Sequence, residues 1–188
     1  MEDDISISKG IIEQLVEGTI DDDNVDRLLK LPKKDSDRFF TYIEVLQDRV
    51  SWDDPILLRL SDKLYIVSKG HGKRVTQCEC GFEFGEYRSN WKLASKIRTR
   101  KTAEEMKAVY DPAPAVPEAG WQEVREYFCP DCGTQHAVEV VPPGYPVIFE
   151  MLPDLDIFYA DYLGRPLADA SEDWYKDKTA ETTATWNQ

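Results

Sequence analysis

Histidine occurs only twice in this chain of 188 residues, at positions 71 and 136. A nucleophile–His–acid triad therefore has few ways to form. No stretch has the G-x-x-x-x-G-K-[ST] form that cradles nucleotide phosphates, and no G-x-S-x-G turn is present. No run of about 18 apolar residues exists, so no segment reads as a membrane-spanning helix. Met1 to Ser8 is acidic and lacks a basic stretch followed by an apolar one. It does not read as a secretory signal, and the cytoplasm is the expected location. Basic charge is also in short supply: 23 Lys and Arg stand against 36 Asp and Glu, a net charge of −13. Phosphate repels such a surface, so a general nucleic-acid binder is not expected.

Cysteine is sparse too, yet its placement is informative. All four cysteines fall in two tight pairs, Cys78-Glu79-Cys80-Gly81 and Cys129-Pro130-Asp131-Cys132-Gly133. Secreted disulfide frameworks space their cysteines more loosely, and close pairs in an intracellular chain point to metal. Zinc takes four soft ligands in a tetrahedron. A knuckle turn brings two thiolates to one ion while backbone amides face the sulfurs. A glycine after the second cysteine admits the turn conformation that other residues resist. C-P-x-C-G is a strong zinc-ribbon signal; C-x-C-G is the weaker partner, one residue shorter than usual. Cys78, Cys80, Cys129 and Cys132 are therefore the expected ligands of one zinc. Four thiolates leave no open position, so the metal is expected to be structural. A redox dithiol, an iron–sulfur site, or ligation by His71 or His136 are the alternatives.

The 48 residues between the pairs, Gly81 to Phe128, exceed ordinary ribbon spacing and imply an insertion, placed at 85–120. Upstream, residues 5–50 read as three helices. Ile11, Ile12, Leu15 and Val16 recur at helical spacing before Gly18. Asp21 to Asp23 cap a second helix with Val25, Leu28 and Leu29. Asp35 or Ser36 starts a third with Phe39, Phe40, Ile43 and Leu46 on its apolar side. Residues 63–69 and 73–78 read as strands with His71 and Gly72 in the turn. Thr102 with Glu105 forms a capping box for a helix to Tyr110. Residues 111–119, DPAPAVPEA, read as a stiff exposed connection. Trp121 to Cys129 and Thr134 to Val141 read as strands around the second pair.

Two further features stand out. Between Lys63 and Lys101 there are ten Lys or Arg against three Glu, in a chain that is otherwise acidic. Arg88, Lys92, Lys96 and Arg98 are expected to form a positive surface, with Lys92 and Lys96 on one helical face. A solvated face is the plainest account of it, and contact with an acidic partner or an anion is the other. After Pro142 the chain is broken by prolines yet rich in apolar residues. Residues 145–167 are expected to form a docking arm, anchored by Phe158, Tyr159, Leu163 and Arg165, rather than part of the zinc domain's core. The alternative is that this segment wraps back on its own core. Ala168 to Gln188 is polar and expected to be mobile. The architecture is thus α+β: N-terminal helices over 1–62, a zinc-ribbon-like β domain over 63–141 with its insertion, and an extended C-terminal arm over 142–188.

Three stretches together resemble the gamma subunit of the acetone carboxylase family. The first is Cys78-Glu79-Cys80-Gly81-Phe82-Glu83-Phe84-Gly85, continuing through Tyr87-Arg88 and Asn90-Trp91-Lys92. The second is Cys129-Pro130-Asp131-Cys132-Gly133, and the third is Pro153-Asp154-Leu155-Asp156-Ile157-Phe158-Tyr159 with Leu163-Gly164-Arg165-Pro166-Leu167. The likeness covers about residues 60–167. It implies a heterohexamer with alpha and beta subunits that carboxylates acetone with bicarbonate to acetoacetate, cleaving ATP to AMP and two phosphates. It also implies that the large subunits carry manganese and ATP with magnesium, while the small one binds zinc and has no catalytic residue of its own. Acetophenone-type carboxylases share the pattern, so the ketone stays open. A zinc-ribbon interaction or nucleic-acid-associated module, and a stand-alone metal enzyme, are the competing classes.

Overall fold

Among the described residues seven strands divide into two antiparallel sheets, and the two cysteine pairs sit in the hairpins of different sheets. The computed structural model describes residues 7–30, 37–110, 116–170 and 176–187. Three helices lead: α1 (Lys9–Glu17), α2 (Asp22–Lys30) and α3 (Arg38–Gln47). α1 ends at Gly18 and α2 begins under the Asp21 carboxylate, which accepts the Asn24 N–H at 2.8 Å. The second helix has Asp22 and Asp23 in its first turn and Arg27 and Lys30 in its last, a charge order that favours the helix dipole. The proposed start of α3 at Asp35 or Ser36 lies outside the described residues. Ile7, Ile12, Leu28 and Val45 close the core between the helices.

The first sheet is a meander of β1 (Ile56–Ser61), β2 (Leu64–Ser68), β3 (Arg74–Cys78) and β4 (Glu83–Glu86). Residues 56–61, grouped on sequence with the helical region, are thus its first strand. β2 and β3 are buried nearly throughout, because both faces of this sheet are covered. On one face Tyr65, Val67 and Val75 pack with Leu46 of α3 and Ile56. On the other, Leu57, Ile66 and Tyr87 pack with Leu155.

That second contact revises the expectation for the C-terminal segment. Leu155 lies in the short helix α5 (Leu155–Ile157), which continues as a π-helical turn through Phe158–Tyr162. Leu155 is fully buried, Tyr159 is 6% exposed, and the Tyr159 hydroxyl donates to the Leu57 carbonyl at 2.8 Å. Arg74, itself buried, donates to Asp156 at 2.8 Å and to Asp169 at 2.9 Å. The prolines prevent a long helix, as expected, but the apolar side chains between them find a receiving surface on the chain's own first sheet. Of the four proposed anchors, Tyr159 faces inward, and Arg165 pairs with Asp37 at 2.5 Å while lying over the Phe40 ring.

The second sheet orders β5 (Lys96–Arg100), β6 (Glu123–Phe128) and β7 (Gln135–Val141). β5 comes from the long stretch between the cysteine pairs, so part of that stretch is sheet. The helix α4 (Ala103–Tyr110) follows it, opened by the expected capping box. Thr102 N–H donates to Glu105 Oε2 at 3.1 Å, and Glu105 N–H donates to Thr102 Oγ1 at 3.2 Å. Residues 111–115 of the proline–alanine connection lie outside the described residues. The tail is less free than its polarity implies: α6 (Thr179–Thr183) is tied to the 88–90 turn. There the Asn90 N–H donates to Thr179 Oγ1 at 2.9 Å, and the Lys178 N–H donates to the Arg88 carbonyl at 2.8 Å. No helix among the described residues is long and apolar enough to cross a membrane.

Candidate metal centre

Antiparallel pairing brings the two cysteine pairs together across 48 residues of intervening chain. Cys78 closes β3 opposite Leu64 in register, and Cys129 follows β6 directly. At the first turn, Gly81 N–H donates to the Cys78 carbonyl at 2.8 Å and Cys78 N–H to the Phe82 carbonyl at 2.9 Å. At the second, Gly133 N–H donates to the Cys129 carbonyl at 3.1 Å and Cys129 N–H to the Thr134 carbonyl at 2.8 Å. The second turn is one residue longer than the first, and each closes on a glycine of positive φ, +98° at Gly81 and +75° at Gly133. A side chain at either position would strain the backbone.

The four sulfurs lie within 4.8 Å of one another. Cys78 Sγ is 3.7 Å from Cys132 Sγ, and Cys80 Sγ is 3.7 Å from Cys129 Sγ. A disulfide would need about 2.05 Å, and all four cysteines are free. A tetrahedral ion with bonds of about 2.3 Å spaces its sulfurs about 3.8 Å apart. The donor set and the spacing are therefore compatible with a zinc site. Both closing pairs run between the two hairpins, so an ion here would tie one sheet to the other.

Polar groups around the sulfurs favour the thiolate at Cys132 and not at the other exposed cysteine, Cys80. Burial pushes Cys78 well up, against an amide hydrogen bond from Cys80, and burial likewise raises Cys80. Cys132 moves the other way, down to about 6: burial opposes ionisation, but the Thr134 hydroxyl and amide hydrogen bonds, with help from neighbouring thiols, outweigh it. The Thr134 hydroxyl is 3.2 Å from this sulfur. Beneath the cluster Leu64 and Phe84 pack with Cys78 and Cys129, and Trp91 closes the side. Trp52 braces the first turn, its Nε1–H donating to the Glu79 carbonyl at 3.0 Å.

Neither histidine joins this cluster. His71 sits in the β2–β3 turn at a positive φ of 52°. His136 is buried, its Nδ1 3.3 Å from the Asp62 carbonyl, with Phe84 and Trp91 edge-on to the ring. Burial lowers its pKa, outweighing the opposing pull of Asp62.

The basic run does not form a single positive surface. Lys92 lies in a short 3-10 turn (Trp91–Ala94) and Lys96 in β5, so they share no helical face. Lys92 is buried: its ammonium contacts Glu139 and sits 3.0 Å from Glu150, and Glu139 also accepts the Tyr127 hydroxyl at 2.7 Å. Arg88 pairs with Glu86 at 2.6 Å. Only Lys96 and Arg98 of the four remain exposed. The sequence reading missed Thr134, Trp52 and Glu139. Thr134 had a local signal, two residues after Cys132. Glu139 had none, since 47 residues separate it from Lys92.

The model of one protein family, described as acetone carboxylase gamma subunit, matches residues 50–163. The chain is 43% identical over 169 residues to the acetone carboxylase gamma subunit of Xanthobacter autotrophicus, covering 89% of this chain and 99% of that one. It is 27% identical over 79 residues to the acetophenone carboxylase beta subunit of Aromatoleum aromaticum, covering 42% of this chain and 61% of that one.

Proposed function

The chain belongs to the acetone carboxylase gamma subunit family, and on that premise we propose that it is the zinc-stapled small subunit of an ATP-dependent ketone carboxylase. The observation that carries this is the likeness to a gamma subunit over nearly the full length of both chains. The complex is a heterohexamer with alpha and beta subunits, in the cytoplasm. It converts a ketone, acetone in the first instance, and bicarbonate to a 3-oxo acid, with ATP cleaved to AMP and two phosphates. Manganese and magnesium–ATP are held by the large subunits.

Zinc on Cys78, Cys80, Cys129 and Cys132 is the role assigned to this chain. With all four positions filled by sulfur, the ion offers no site to substrate and contributes rigidity. It holds the β3–β4 and β6–β7 hairpins against each other. Activated bicarbonate and enolate hydrolyse readily and need a route closed to water. A small subunit fixed by a metal braces such a route without entering the chemistry.

Native mass spectrometry of the untagged complex, with metal analysis, tests this reading. The expected result is this chain in stoichiometric complex with two larger subunits and one zinc per copy. The purified chain alone is expected to show no ketone-dependent ATP cleavage. Turnover by the isolated chain above a Cys78→Ser control would refute the division of labour, and a chain that joins no larger subunit would refute the assignment.

A further inference from the structure

The second sheet ends on an edge whose side chains are unusually apolar for a chain of net charge −13. Val138 and Val140 of β7 are 50% and 43% exposed. The strap after β7 adds Tyr145 and Ile148, 43% and 42% exposed. These four residues line one continuous groove of about 320 Å³. Contiguous apolar surface of this kind marks an interaction site.

Charge narrows what fits there. The two carboxylates in the groove, Glu139 and Glu150, are already engaged by Lys92. Glu126 on the middle strand is taken by Arg100 at 2.7 Å. Lys92 thus balances one of the two groove carboxylates from within, and Arg100 balances Glu126. On the far side, Arg98 pairs in register with Glu126, and Glu126 with Val138. Arg98 and Val138 therefore share one face, two strands or about 10 Å apart. Arg98 is 59% exposed, and its nearest carboxylate contact, to Glu126, is 3.9 Å. Lys96 lies one step along the same face and is exposed. The face therefore presents an apolar strip with exposed positive charge across Glu126 from it, three cations (Lys96, Arg98 and Arg100) against that one carboxylate, in a chain of net charge −13.

We infer that Val138, Val140, Tyr145 and Ile148 dock an apolar, carboxylate-flanked segment of a larger subunit of the carboxylase, with Lys96 and Arg98 pairing to the flanking acids. The inference rests on the assignment of the chain as a carboxylase subunit. A neighbour of that composition satisfies both the strip and the charge beside it. A basic peptide would be repelled by the charge, and the phosphates of a nucleic acid would leave the apolar strip uncovered.

The test co-expresses the full chain with the carboxylase's other subunits and recovers the complex through a tag on a large subunit. A Val138→Asp/Ile148→Asp variant is expected to reduce recovery of this chain at least tenfold. Metal content and thermal midpoint of the free variant should match the wild type, because both positions are exposed. A Val138→Ser/Ile148→Ser variant is the milder second form should the first not fold, and it is expected to weaken recovery severalfold. A Lys96→Ser/Arg98→Ser variant should weaken recovery at low salt and flatten its dependence on ionic strength. Wild-type recovery of the folded apolar-strip variants would overturn the inference. So would a homodimer of the free chain that Val138→Asp breaks while the complex persists. If the wild-type chain itself joins no larger subunit, the subunit assignment falls first and the docking face with it.

Discussion

Replacing Leu155 by alanine separates two accounts of the C-terminal segment. If residues 145–167 lay only along a partner, the free chain would not register the change. The structure instead places Leu155 at 0% exposure among Leu57, Ile66 and Tyr87. Three carbons leave the core, worth about 2.4 kcal/mol at about 0.8 kcal/mol each. A residual cavity of about 30 Å³ adds roughly 0.7 kcal/mol at about 24 cal/mol per Å³. The expected loss is thus about 3 kcal/mol. For a chain of this size that corresponds to a fall in melting temperature of about 6–12 °C. Urea denaturation of the zinc-loaded free chain, followed by tryptophan fluorescence, measures it directly. The midpoint should shift without a change in slope. A loss below about 0.5 kcal/mol would refute the packing and return the segment to the status of an arm.

Two other outcomes follow from the same contacts. Cys129→Ser should abolish stoichiometric zinc, read by metal analysis. It should also remove much of a binding free energy that reaches about 10 kcal/mol or more in structural zinc sites, leaving the free chain largely unfolded by near-UV circular dichroism. Burial opposes ionisation of Glu139, but hydrogen bonds from Lys92 and Tyr127 win and hold its carboxyl below the usual range. A carboxyl depressed in the folded state stabilises above the unfolded value of about 4.3 and loses that stabilisation as pH falls through the folded value. Glu139→Gln should therefore lower stability at pH 7 and flatten the fall in stability below about pH 4.3 seen by denaturant titration.

How much of this was legible beforehand depended on how far apart the interacting residues lie in the chain. The capping box at Thr102 and Glu105 spans three residues and forms as read. Helical spacing gave α1 and α2, and the strands at 64–68 and 74–78 followed from short apolar runs between turn residues. β1 was passed over although Ile56-Leu57-Leu58 carries the same kind of signal after Pro55. β5 was hidden by charge: K-I-R-T-R reads as a basic surface because its partner carboxylate, Glu126, is 26 residues from Arg100. Lys92 was read as a surface charge because charged residues usually are.

By itself the sequence determined which four cysteines could form a metal cluster, most of the helices and several of the strands, and the family to which the chain belongs. These depend on residue types within a few positions of one another, where backbone preference and ligand chemistry act directly. Only the tertiary structure decided which charges are surface and which are interior. Lys92 meets Glu139 and Arg74 meets Asp156 across 47 and 82 residues. The tertiary structure likewise decided that Leu155 and Tyr159 complete the first sheet while Val138 and Ile148 stay in solvent. All four are apolar, and composition does not distinguish them. What separates them is strand register and the order of strands in the two sheets, which set which face each side chain takes and whether that face is covered.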